Sequence, residues 1–135
     1  MADTAGAILI DRDRVLLGLK AGHKSFAGCW DVIGGHIEPG ESPWLALCRE
    51  LTEELGIECL EGHRLDTLTL VDAEGRPSIL HLYSVRSWHG RPAVRNDEHT
   101  ALRWFLLEEA ERLSNLATSQ YREVFSSLRG RRAGP

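Results

Sequence analysis

The sequence predicts a mixed domain of class α/β (α+β), in which short strands form a sheet around one strongly marked central helix. Three observations predict it. Short apolar segments bounded by turn residues recur before residue 34 and again after residue 64. Residues 42–55 carry start and stop signals of a helix at both ends. The chain has 135 residues, 42% of them hydrophobic, which suits one domain burying about two-thirds of its extended-chain surface. Residues 1–128 read as a single domain and 129–135 as a frayed tail, because termini fray unless something docks them.

Residues 4–10 and 15–19 are apolar and are separated by Asp11-Arg12-Asp13, which reads as a β-hairpin. A polar loop with Gly22 and Gly28 leads to a strand at 30–33 that runs into Gly34-Gly35. Ser42 is a good N-cap for the central helix, Pro43 fits its first position, and Gly56 fits the left-handed residue after it. Strands follow at 65–71, 79–88 and 101–106, with Gly75-Arg76-Pro77 as a hairpin turn. Helices are expected at 107–113 and 118–128, the second with Tyr121, Val124, Phe125 and Leu128 on one face. No repeat or linker divides the chain.

Composition excludes several classes. Sixteen Lys and Arg against twenty Asp and Glu leave a net charge of −4, which argues against a nucleic-acid polymer as partner, since such binding rests on clustered cations. No apolar run approaches the roughly 18 residues a membrane span requires, so no membrane association is expected. The opening Met1-Ala2-Asp3-Thr4 lacks the layout of a secretory signal. Cys29, Cys48 and Cys59 form no C-x-x-C pair, which suits a reducing interior, and the expected compartment is the cytoplasm.

On the central helix, Trp44, Leu47, Cys48, Leu51 and Leu55 fall in one stripe that should face the core. Glu50, Glu53 and Glu54, spaced i, i+3 and i+4, are expected on the side away from it, with Arg49 within reach of Glu53. Like charges at that spacing cost a helix roughly 0.2–0.5 kcal/mol per pair. Three carboxylates beside a glycine loop make a hard-oxygen site suited to Mg²⁺ or Mn²⁺. The residues alone leave two readings open, a solvated acidic face and a cation site.

The run Gly35-His36-Ile37-Glu38-Pro39-Gly40-Glu41, seven further residues, then Arg49-Glu50-Leu51-Thr52-Glu53-Glu54-Leu55-Gly56-Ile57 resembles the Nudix box. That box is G-x5-E-x7-R-E-U-x-E-E-x-G-U with U apolar, and every specified position is filled. By average residue usage such a match arises by chance on the order of 10⁻⁷ per chain. Ile33 departs from the proline many relatives carry before the paired glycines, and removes no ligand. The resemblance implies a Nudix-type α/β/α sandwich with a mixed β-sheet and a catalytic loop-helix-loop. It also implies metal-dependent hydrolysis of a phosphoanhydride bond in a nucleoside diphosphate derivative.

By the family pattern, Glu50 and Glu54 look like direct metal ligands, Gly35 contributes its carbonyl, and Glu53 completes the cluster directly or through water. Mg²⁺ is the expected cofactor, with Mn²⁺ as an alternative. Arg49 would orient the glutamates, and Glu41 would be structural or a weaker contributor. The general base is a box glutamate, Glu50 or Glu53, or Glu98, which stands before the 101–106 strand where relatives often carry a later acid. Lys20, Gly34 and His36 are candidate contacts for the substrate phosphates. His23, His63, His81, His89 and His99 show no metal-ligand spacing and are set aside. Trp44 and Cys48 read as core residues, while Trp88 and Trp104 are expected to pack, with base stacking as the alternative.

The expected partner is a small nucleotide, and the resemblance leaves a homodimer open. Relatives that cleave ADP-ribose or dinucleoside polyphosphates often carry a proline or tyrosine some 15 to 18 residues beyond the box. That window, residues 72–75, holds neither. The expected substrate is therefore a (d)NTP or oxidised nucleotide cleaved to the monophosphate and pyrophosphate, its base against residues 80–88 or near Trp104. ADP-ribose or dinucleoside polyphosphate hydrolysis, and a non-catalytic nucleotide-sensing module, are the alternatives.

Overall fold

The structure is a computed structural model, which describes residues 2–24, 26–72 and 74–133. Strands β1 (Ala2–Asp11) and β2 (Arg14–Lys20) form the expected hairpin. Then come β3 (Trp30–Asp31), β4 (Ile33–His36) and α1 (Pro43–Leu55). After the helix lie β5 (Glu58–Val71), β6 (Pro77–His89), β7 (His99–Leu106), α2 (Leu107–Glu111) and α3 (Tyr121–Ala133). The sheet is mixed: β1 pairs antiparallel with β2 and β4 and parallel with β6, while β5 extends the β6 edge and β7 and β3 pair with β2.

The apolar runs of β1 and β2 do not alternate with polar residues because both faces of the sheet are covered, a pattern typical of sandwiched strands. Ala5, Ala7, Leu9 and Leu16 point to the layer holding Leu47, Leu51 and Leu55 of α1. Ile8, Ile10, Val15 and Leu17 point to the opposite layer, with Phe105, Tyr121, Val124, Phe125 and Leu128. The result is the expected α/β/α sandwich, with the apolar face of α3 as read from its spacing.

The caps of α1 also form as expected. Ser42 Oγ accepts from the Leu45 N–H at 3.2 Å, and Gly56, at φ +70°, donates its N–H to the Thr52 carbonyl at 3.0 Å. Only a residue tolerant of positive φ closes a helix in this way.

Several boundaries differ from the sequence-based expectation, each for a local reason. Strand β5 begins at Glu58, seven residues early, because register shifts at Cys59/Glu61, Glu61/Gly62 and Arg64/Asp66 break its two-residue period. Helix α2 stops at Glu111 and α3 starts at Tyr121, with the Thr118 hydroxyl accepting from the Gln120 N–H in the turn before it. The expected frayed tail is helical through Ala133. Arg129 docks it by donating to both carboxylate oxygens of Glu111, at 2.9 and 3.1 Å. Gly134 and Pro135 lie outside the described residues.

The acidic face of α1 needs a larger correction, because its three glutamates do not share one solvated side. Glu54 is only 2% exposed, packed against the start of β7. Trp44 and Cys48 are half-buried at the margin of the stripe. Among the described residues, no helix is long and apolar enough to cross a membrane.

Candidate active site

The site begins where β4 meets α1. A Cβ on Gly34 would run into the Ala5 carbonyl, and one on Gly35 would lie 2.6 Å from Glu50 Oε2. The paired glycines therefore let β4 pair closely with β1 and let the Glu50 carboxylate rest on the strand.

Arg49 ties the loop to the helix. Its Nε and Nη2 donate to the two oxygens of Glu41 at 2.8 and 2.9 Å, Nη2 also reaches the His36 carbonyl at 3.0 Å, and Nη1 donates to Glu50 Oε1 at 3.1 Å. Two parallel bonds from one guanidinium to one carboxylate fix geometry as well as charge. The Arg49 hydrogen bonds hold the Glu41 carboxyl down at about 2 and raise the Arg49 guanidinium further above its ordinary value. Glu53 lies 3.4 Å from Arg49, but its side chain is 55% exposed and outside the cleft.

Glu54 is the deepest carboxylate. Burial, then the charges of Glu50 and Glu98, push its pKa from 4.5 up to about 8, and neither oxygen has a hydrogen-bond partner among the described residues. Burial likewise pushes Glu50 up, against the Arg49 hydrogen bond. Beside Glu54 lies His99, 6% exposed, with Nδ1 3.7 Å from Glu54 Oε1 and Nε2 without a partner. Burial, helped by Lys20, lowers the His99 pKa to about 4, so the ring is neutral at physiological pH.

Glu98 faces the same cleft between two lysines, with Lys24 Nζ at 2.8 Å and Lys20 Nζ at 3.6 Å. Burial pushes the Glu98 carboxyl up, but the Lys24 hydrogen bond and both lysine charges outweigh it, so its pKa is lowered and the group is ionised. The loop carrying Glu98 is also bonded to the end of α1. The Ala93 and Arg95 N–H groups donate to the Leu55 and Glu54 carbonyls at 3.2 and 2.9 Å, satisfying groups that a helix C-terminus leaves open.

A cleft of about 380 Å³ joins these groups to a second set. Its lining includes Lys20, Lys24, Gly35, His36, Glu50 and Glu98 together with Phe26, Asp31, Leu70, Leu80 and Tyr121. Asp31 Oδ1 accepts from the Tyr121 hydroxyl at 2.6 Å and from the Val32 N–H at 2.8 Å. Burial raises the pKa of both Asp31 and Tyr121.

The structure thus gathers Lys20, Gly34, Gly35, His36, Glu50 and Glu98 at one cleft, while buried Glu54, Arg49 and Glu53 are not among the residues that line it. Leu80 lines the cleft as expected, but Trp88 and Trp104 stack on each other at 6.2 Å in the α1-side layer, away from it. Sequence reasoning missed His99, Lys24, Asp31 and Tyr121. Gly18 carried a usable signal for His99, since a lone glycine inside a strand marks a close approach, and a Cβ there would lie 2.8 Å from the ring Cγ.

Among the described residues, no three His, Cys, Asp or Glu side chains form a ready-made metal cage. The donor set nonetheless fits a hard divalent cation. Burial raises both Glu50 and Glu54, the charges of Glu50 and Glu98 raise Glu54 further, and among the described residues neither oxygen of Glu54 has a hydrogen-bond partner.

A family model of the NUDIX domain matches residues 1–128. The CTP pyrophosphohydrolase of Escherichia coli (strain K12) is 40% identical over 105 residues, covering 77% of this chain and 76% of that protein. A putative 8-oxo-dGTP diphosphatase 2 of Mycobacterium tuberculosis is 34% identical over 105 residues, covering 78% and 72%. Among solved structures, the solution structure of the E. coli ORF135 protein aligns with a TM-score of 0.83 at 35% identity, covering all of this chain and 95% of its own. The MutT NUDIX hydrolase from Burkholderia pseudomallei aligns with a TM-score of 0.82 at 31% identity, covering 93% and 95%. Members of this family act on nucleotides and typically use a divalent metal. With the complete box, the sandwich and these matches together, the chain belongs to the Nudix family and is a MutT-like nucleotide pyrophosphohydrolase.

Proposed function

We propose that this enzyme hydrolyses a nucleoside triphosphate, ordinary or oxidised, to the monophosphate and pyrophosphate, with Mg²⁺ as cofactor and Mn²⁺ as a substitute. The supporting observation is a cleft lined by lysines and carboxylates and also by the hydrogen-bonded pair Asp31 and Tyr121. Glu50, Glu54 and the Gly35 carbonyl would hold the cation. When bound, the cation offsets the repulsion between carboxylates and phosphates, polarises phosphoryl oxygens and acidifies a water. Glu53 contributes charge from the outer side through Arg49.

The chain's own groups do the rest. Lys20 and Lys24 draw the phosphates as point charges, and His36 and Gly34 border the same path. Arg49 keeps Glu50 turned toward Gly35. Glu98 takes the proton of the attacking water, a step that contributes about 10²–10⁴-fold. Phosphates that engage the two lysines weaken their hold on Glu98, so its pKa rises toward the ordinary carboxylate value and it becomes the stronger base. Water is consumed, the α–β anhydride bond breaks, and pyrophosphate leaves.

The base lies against Leu80 and Phe26, with its donors toward Asp31, whose Oδ1 is already fixed by Tyr121 and Val32. A carboxylate acceptor there suits bases that present an exocyclic amine, as cytosine and 8-oxoguanine do. Relatives named for CTP and 8-oxo-dGTP hydrolysis agree with that polarity. Ranking kcat/KM for CTP, UTP, dGTP, 8-oxo-dGTP, ADP-ribose and a dinucleoside polyphosphate tests the reading. CTP or 8-oxo-dGTP should lead, and a lead of about tenfold by ADP-ribose or the dinucleoside overturns the substrate while leaving the family intact.

A further inference from the structure

The Glu54–His99 contact is not required by packing. His99, the first residue of β7, sits in a slot that exists because residue 18 of β2 is glycine. A Cβ there would lie 2.8 Å from the ring Cγ and 2.9 Å from Nε2. An apolar side chain would fill that slot without leaving Nε2 buried and, among the described residues, unpartnered, a defect that costs stability. The polar ring therefore answers to its neighbour, and the polar atom within reach is Glu54 Oε1, 3.7 Å from Nδ1.

We propose that His99 is a positioning residue which, by directing Nδ1–H at Oε1, holds the Glu54 carboxylate in the orientation that receives the cation. The inference rests on the assignment of Glu54 as a metal ligand. At 3.7 Å the contact lies outside hydrogen-bond range, and closing it requires a movement of about half an ångström. Carboxylates that bind metals are commonly oriented by such outer partners, whose loss costs roughly 10–100-fold in metal affinity. Because Glu98 precedes His99 in the chain, the start of β7 would then serve both the cleft and the buried ligand.

Binding of Mn²⁺ alone, read from the electron paramagnetic resonance signal of the free ion, tests this without turnover. Four proteins are compared: wild type, Glu54→Gln, His99→Leu and His99→Asn, each with its metal-free melting temperature. Glu54→Gln should bind Mn²⁺ weakly, which supports the underlying ligand assignment. His99→Leu should weaken binding roughly 10–100-fold while the metal-free protein melts no lower than wild type, since the orphaned Nε2 is gone. His99→Asn, whose amide N–H stands near the place of Nδ1, should bind nearly as well as wild type. Wild-type affinity in His99→Leu with weak binding in Glu54→Gln overturns the role of His99 alone. Wild-type affinity in both overturns the ligand assignment as well. Equal loss in His99→Asn and His99→Leu also overturns the proposal, because the N–H would then be irrelevant. Should His99→Leu fail to fold, Gly18→Ala pushes the same ring aside with His99 retained, and unchanged Mn²⁺ affinity there is equally contrary.

Discussion

Replacing Glu54 by Gln separates the energetic role of this carboxylate from its shape. In the metal-free protein burial, reinforced by Glu50 and Glu98, raises its pKa from 4.5 to about 8, whereas in the unfolded chain it titrates near the ordinary value. Between those pH values the folded protein keeps a proton that the unfolded chain has released. The contribution to stability is therefore full below about pH 4.5 and is lost as pH rises through 8. From pH 6 to pH 9 this one group removes about 2–3 kcal/mol. Gln does not titrate, so metal-free wild type and Glu54→Gln should melt closest together near pH 4.5, and the variant should already melt higher at pH 6. Between pH 6 and pH 9 the difference should widen by roughly 8 °C, at about 3 °C per kcal/mol for a domain of this size. Turnover should fall on the order of 10³-fold or more at saturating Mg²⁺, because several kcal/mol of transition-state stabilisation are lost with a metal ligand. Differential scanning calorimetry in chelator across pH, with steady-state kinetics alongside, measures both. A melting difference that does not grow with pH, or retention of more than about a tenth of wild-type turnover, refutes the reasoning.

Glu98→Gln should lower the single-turnover rate about 10²–10⁴-fold with Mg²⁺ affinity near wild type. A mild effect would return the general base to Glu50 or Glu53, and a large loss of affinity would make Glu98 a ligand. Gly35→Ala places a methyl carbon 2.6 Å from Glu50 Oε2, so it should displace that carboxylate and cost roughly 10²-fold in kcat. Calorimetry should meanwhile show the fold retained, and full activity would mean that Glu50 need not rest on β4. Asp31→Asn should reduce the ratio of kcat/KM for CTP over UTP by about tenfold, and an unchanged ratio removes Asp31 from base recognition.

What was legible in the sequence is what local chemistry determines. Ser42, Pro43 and Gly56 each act within one turn of α1, and the helix runs between them as expected. The hairpin of β1 and β2, with Arg12 at φ +60° in its turn, is similarly local. The box glutamates were legible as a spacing, but their individual environments were not. A single-stripe reading of α1 assumes one covered face, whereas Glu54 is also covered by His99 of β7. The same limit hid Asp31 and Tyr121, ninety residues apart and joined only when α3 packs on the sheet. Strand β5 was half-missed because its bulges erase the alternation on which strand reading depends. The helical end of α3 was missed because its anchor, Glu111, lies in a different helix.

The central claim is that a nucleoside triphosphate is hydrolysed at the Glu50–Glu54 site between its α and β phosphates. Wild-type enzyme and Glu54→Gln, each incubated with Mg²⁺ and either CTP or 8-oxo-dGTP, should be assayed by anion-exchange separation of all phosphorus-containing products. The account predicts equimolar nucleoside monophosphate and pyrophosphate from wild type and almost none from the variant. Nucleoside diphosphate with inorganic phosphate, or undiminished pyrophosphate release by Glu54→Gln, would contradict it.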